Sequence, residues 1–335
     1  MSHAAPVEET TSIDSASFAD RQQACRPFVL RGLCADWPAV QAAGKGWPIF
    51  AQWLKDRASD ATGEAFHGSP DIGGRYYYDD ALSGFNFERE TLALCALIDR
   101  VSARAASGSG DSWYMGSLPA DTFLPGFAAD HPMPVIDMSV APRIWVGNAS
   151  DVACHYDMFD NLACVVAGRR RFTLYPPECI HDLYVGPVDF TMAGQPVAMA
   201  AAAPPGDPRY PRFAKAAAKA HSITLHPGDA LYLPKTWWHQ VEALDPSNML
   251  VNYWWDAHAA GPDSPYAAMM LAMITIADRP PAERAAWDAM FDHYVFRSAG
   301  HPLAHLPEEK HGLLGPVKQN YGRIRALVMQ MLRNI

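Results

Sequence analysis

The sequence predicts a mainly β chain: a sandwich or barrel of short strands, preceded by an α/β extension and followed by helices. Three observations carry this. From about Arg143 onward, "RIWVGN", "NLACVVAG", "RRFTLYPP", "SITLHPGDALYLP", "WWHQVEAL" and "NMLVNYWW" are short apolar or alternating runs separated by Gly, Pro and Asn, the mark of a sandwich or barrel. Before Arg143, strand-like runs mix with runs of helical spacing. After Asp256 the spacing turns helical.

In chain order, residues 1–24 are polar and read as a flexible N-terminus. "RPFVLRGLCADWPAV" (Arg26 to Val40) is a strand followed by a Gly/Pro-punctuated turn. "WPIFAQWLKDRA" (Trp47 to Ala58) and "TLALCALIDRVSARA" (Thr91 to Ala105) have helical spacing, and "SGSGD" breaks the chain before the strand "SWYMGS". Residues 25–256 form the barrel domain with its extension. Within it, Glu178 to His221 is a long Ala- and Pro-rich insert, and loops of that length are functional or disordered. Residues 257–335 form a helical region with "AAMMLAMITIAD" and "PAERAAWDAMFDHYVFR" as its first helices.

The bulk numbers exclude several classes. Hydrophobic residues at 49% and charged residues at 19% provide a sizeable core and argue against wholesale disorder. A net charge of −9 is the wrong sign for a general nucleic-acid binder, so no DNA partner is expected. The six cysteines, Cys25, Cys34, Cys95, Cys154, Cys164 and Cys179, form no C-x-x-C pair, which fits a reducing compartment rather than a disulfide framework. With no secretory signal and no run of ~20 apolar residues, a cytoplasmic location without membrane contact is expected.

The site is built from strand parity. In "CHYDMFDN" (Cys154 to Asn161), His155 and Asp157 are two apart and project from one face, joined by Asn161 if the strand continues. They supply two ligands of a two-histidine, one-carboxylate metal set of the kind found in non-haem Fe(II) oxygenases. The third must come from another strand. His239 is the candidate, sharing its parity with Val241 and Ala243 on an apolar face. In "GRRRFTLYPPE", Arg170 shares parity with Phe172 and Leu174, so it enters the barrel, while Arg169 and Arg171 face solvent. A buried guanidinium is costly unless an anion meets it, and its fork suits a carboxylate.

As an ordered series, "HYDMFDN", "VAGRRRFTLYPPE", "HPGDALYLPKTWWHQVEAL" and "NYWW" resemble the cupin-like JmjC family of Fe(II)- and 2-oxoglutarate-dependent oxygenases over roughly residues 26–256. The similarity is nearest to hydroxylase-type members such as the asparaginyl hydroxylase that acts on hypoxia-inducible factor. The resemblance implies a double-stranded β-helix (jelly-roll) barrel. It also implies that His155, Asp157 and His239 hold iron, that Arg170 and Tyr114 hold the distal carboxylate of 2-oxoglutarate, and that Asn161 and Asn252 line the cosubstrate pocket. Two residues depart from the pattern. Arg170 replaces a lysine, and Val152 stands where that hydroxylase has a threonine hydroxyl.

The implied activity is hydroxylation of a C–H bond, on a protein or peptide side chain, with succinate and CO2 as co-products. The alternatives are a small molecule or tRNA base as substrate, or a non-catalytic cupin-like binding module. The complete ligand set weighs against the module, and the acidic charge against tRNA. Related hydroxylases dimerise through C-terminal helices. Val317, Tyr321, Ile324, Val328 and Met331 form an a/d stripe on the last helix, so a homodimer is expected.

Overall fold

In the computed structural model, which describes residues 6–333, strand β1 (Glu8–Thr10) runs parallel to β2 (Phe28–Leu30) at the margin of a nine-stranded sheet. The extension adds β3 (Thr62–Gly68), β4 (Arg75–Tyr76), β5 (Glu88–Ala93) and β6 (Ser112–Pro119). Eight strands follow: β7 (Pro142–Gly147), β8 (Ser150–Tyr156), β9 (Asp160–Ala167), β10 (Arg170–Tyr175), β11 (His221–Leu225), β12 (Ala230–Leu233), β13 (Trp238–Ala243) and β14 (Asn248–Trp255).

Strands β12, β9, β14 and β7 are consecutive in the nine-stranded sheet. Strands β11, β10, β13 and β8 are consecutive in a five-stranded one. The chain therefore passes from sheet to sheet along its length, the winding of a jelly roll, as expected.

Strand β9 shows why the apolar runs lack simple alternation. Leu162, Cys164 and Val166 face one core, packed with Phe50, Leu54, Leu97 and Ile98 of the extension's helices. Ala163 and Val165 face a second core between the sheets, with Phe172, Leu174, Val241 and Leu250. A strand covered on both sides reads as a continuous hydrophobic run.

Three expectations need correction. Of the segment expected to be flexible, residues 1–5 lie outside the described residues, but the rest carries β1 and a helix, Ser15–Gln23. Phe18 anchors that helix at 2% exposure, edge-on to Phe28 and Tyr232. A single apolar side chain holds a segment that is otherwise polar. The helix expected over Thr91 to Ala105 begins at Leu94 instead, because Glu88–Ala93 pairs with β3 as β5. Strand β8 ends at Tyr156, so Asn161 does not share a strand with His155 but sits on β9, in the other sheet.

The chain divides into two compact units at Asp256 and Ala257. The second contains the helices Pro265–Ile276, Pro281–Phe291 and Val317–Arg333. None of the described helices is long and apolar enough to cross a membrane.

Candidate active site

Strands β8 and β13 pair antiparallel with His155 directly opposite His239, and the register shifts between His239 and Val241. Bulges of this kind re-aim side chains. The two imidazole centroids lie 4.4 Å apart. Asp157 follows just beyond β8, its Oδ2 3.8 Å from His239 Nε2. The three residues each offer a ligand atom within 4.8 Å of the others, the one such His/Cys/Asp/Glu group among the described residues. His301 and His311 stack on each other and bond backbone carbonyls.

Each histidine of the group is oriented by its own backbone. His155 Nδ1 bonds Ala153 O at 2.7 Å, and His239 Nδ1 bonds Trp237 O at 3.0 Å. A carbonyl only accepts, so Nδ1 carries the hydrogen, and in the neutral ring Nε2 is the nitrogen left with a lone pair for a metal. Burial, reinforced by His155 nearby, pulls the His239 pKa down to about 4, which keeps the ring neutral at physiological pH. The Thr236 N–H donates to Asp157 O at 2.8 Å, tying the carboxylate's loop to the start of β13. Thr236 takes φ +68 to do so, a left-handed conformation that costs a β-branched residue about 1–2 kcal/mol.

Across the cavity, Arg170 enters from β10 at 2% exposure. Its Nε has no hydrogen-bond partner, and among the described residues no carboxylate pairs with it. Burial lowers its pKa, opposed by Tyr114, yet a guanidinium stays protonated in proteins. It is therefore a buried cation with no carboxylate partner among the described residues. Arg169 and Arg171, on the opposite parity, form ion pairs with Asp245 and Glu242. Burial pushes the Tyr114 phenol up to about 12, so it remains a hydrogen-bond donor. Asn252 Nδ2 donates to Asn161 Oδ1 at 2.9 Å, leaving Asn252 Oδ1 and the neighbouring Trp254 Nε1 buried and unpaired.

All seven residues singled out in the sequence, His155, Asp157, His239, Tyr114, Asn161, Arg170 and Asn252, line one cavity of ≈ 510 Å³, and Val152 lines it too. Sequence reasoning missed Gly116, Trp145, Glu64 and Arg89, which line the same cavity. A Cβ on Gly116 would lie 2.8 Å from Trp145 and 3.0 Å from the Tyr114 hydroxyl. Only glycine leaves room for that pair. A lone glycine in "SWYMGS" was the one available signal.

Compared with known proteins, residues 15–261 match the cupin-like domain family. The chain belongs to that family. Among curated relatives of this cupin-like protein, human HSPB1-associated protein 1 is 31% identical over 147 residues, 42% of this chain but 30% of the relative. Lysine-specific demethylase JMJ31 of Arabidopsis thaliana is 33% identical over 117 residues, 35% of this chain and 21% of the relative. The human bifunctional peptidase and (3S)-lysyl hydroxylase JMJD7 is 27% identical over 262 residues, 69% of this chain and 77% of the relative. The match thus spans under a third of HSPB1-associated protein 1 and most of JMJD7.

Proposed function

We propose that this cupin-like protein is an Fe(II)- and 2-oxoglutarate-dependent dioxygenase that hydroxylates a C–H bond of a protein or peptide side chain. One observation carries the reading. A two-histidine, one-carboxylate group with free Nε2 lone pairs shares a cavity with a buried arginine that lacks an anion.

The residues fit both groups. His155, Asp157 and His239 would hold the metal, since two neutral imidazoles and a carboxylate with open positions suit Fe(II). Arg170 would take the distal carboxylate of 2-oxoglutarate through two parallel charge-assisted hydrogen bonds, and Tyr114 would donate a third. Asn161 and Asn252 would supply amide groups beside it. Bound Fe(II), with 2-oxoglutarate and O2, supplies the oxidising chemistry, and succinate and CO2 leave as co-products. The protein's part is to orient the groups and exclude water. A cavity of ≈ 510 Å³ lies within the usual range for small-molecule sites, about 300–1,000 Å³. The names of two relatives record lysyl hydroxylation and lysine demethylation, which supports an amino-acid side chain over a free small molecule or tRNA base.

We also propose a homodimer built on the C-terminal unit. Val317, Val328 and Met331 of the a/d stripe are 45%, 39% and 65% exposed, and the apolar helix Pro265–Ile276 has no buried residue. A self-complementary stripe suits a second copy of the chain.

The deciding experiment titrates 2-oxoglutarate anaerobically into Fe(II)-loaded protein. A metal-to-ligand charge-transfer band that saturates with the keto acid is the expected result. No band from the wild type sinks the reading.

A further inference from the structure

The long insert between β10 and β11 does not stand off the barrel. Its residues Met192, Ala193, Gln195 and Val197 form one wall of the cavity, and both ends of that wall are pinned. At one end Val197 bridges to His155, and the Ala198 N–H donates to Cys154 O at 2.7 Å. This strap therefore pairs directly with the strand that presents His155.

At the other end Phe190 stacks on Phe85 at 5.1 Å, and the Tyr78 hydroxyl donates to Phe190 O. Arg89 donates to Met192 O at 2.6 Å and to Glu64 Oε1 at 2.7 Å. Its guanidinium lies over Phe66, Phe85 and Phe87, at 5.1, 5.6 and 5.8 Å from their centroids. A charged donor to a carbonyl is among the stronger hydrogen bonds, and the aromatic bed keeps the cation in place. Between the anchors the strap is tied to itself, the Gly194 N–H donating to Thr191 Oγ1 at 2.9 Å. Ala193 and Gly194 are exposed, and Gly194 takes φ +100 with no atom near its Cβ position.

We propose that Arg89 is the positioning residue of this strap, holding residues 192–197 upright as the substrate-facing wall beside His155 and so setting the width of the cavity. That the wall faces substrate rests on the oxygenase reading. The latch itself does not.

Hydrogen exchange on the metal-free full-length protein separates the two. Arg89→Met keeps an apolar stem on the aromatic bed and removes both hydrogen bonds. It should speed exchange of the amides of residues 192–195, 197 and 198 by about tenfold or more while leaving β9 and β14 unchanged. Tyr78→Phe, which removes one carbonyl contact, should give a smaller rise in the same segment. Glu64→Gln, which leaves the Met192 bond in place, should stay within about twofold of wild type. Unchanged exchange at 192–198 in Arg89→Met overturns the proposal. So does a rise spread evenly over β9 and β14, which would make Arg89 a general stability residue. If Arg89→Met does not fold, Arg89→Lys decides, since it keeps the charge and stem but loses the fork that serves both acceptors, and an unchanged strap there overturns the latch. Failure of wild-type protein to bind 2-oxoglutarate in the anaerobic titration would count against the oxygenase reading alone.

Discussion

His155 and His239 face each other across the β8–β13 ladder, and each ring bonds the carbonyl two residues before it, Ala153 O and Trp237 O. The same local device orients both imidazoles, so the pair is set before any metal arrives. One divalent metal per chain is the expected stoichiometry, with Mn(II) or Ni(II) able to replace Fe(II). His155→Ala or His239→Ala should abolish binding, because two remaining ligands are too few. Isothermal titration with Mn(II) checks this. Full occupancy in a His155→Ala/Asp157→Ala double variant would remove the assignment.

Arg170 makes opposite predictions for binding and stability. Arg170→Lys should raise the dissociation constant for 2-oxoglutarate by roughly ten- to a hundredfold, the loss of one charged bond of ~1.5–3 kcal/mol. A lysine presents a point charge where the guanidinium presents a fork. Wild-type affinity in this variant would show that the carboxylate lies elsewhere.

Arg170→Met, by contrast, should stabilise the ligand-free protein. It removes a buried cation that no protein carboxylate pairs, and even paired buried charges are often exchanged for apolar side chains with a gain of about 1–4 kcal/mol. Urea denaturation of apo protein reads the difference. A less stable variant would mean that the cation is already compensated.

Gly116→Ala should cost about 1–3 kcal/mol of stability through overpacking, since the added methyl meets Trp145 at 2.8 Å. It should also weaken cosubstrate binding by displacing the Tyr114 hydroxyl. Stability and affinity both at wild-type levels would show that the pair shifts freely.

A deletion after Pro316 should turn a dimer into a monomer, because it removes the a/d stripe of Val317–Arg333. Sedimentation at micromolar concentration checks both forms, and a monomeric full-length protein rules the dimer out.

The legibility of this site in the sequence follows from how local each signal is. His155, Asp157, His239 and Arg170 could be read because strand parity alone decides which way they point. Asn161 was placed in the right cavity for a partly wrong reason. The turn after Tyr156 carries it to the other sheet, and parity along one strand cannot foresee a reversal. The limits of β5 depend on pairing with β3, a contact absent from a stretch that reads locally as helix. Arg89 reaches the cavity through packing between distant segments, which leaves no periodic trace. The flexible reading of the N-terminus failed on one residue, Phe18, whose burial outweighs its polar surroundings.

The passage of consecutive strands between two sheets has a kinetic consequence. His155 and His239 lie in one sheet, while Asn161 and Asn252 lie in the other, so no local segment contains the cavity and it exists only once the winding is complete. Such pairings across long stretches of chain form slowly. A metal that binds only the finished barrel then stabilises it by mass action. On the oxygenase reading proposed above, iron supply would then add to the stability of the folded chain.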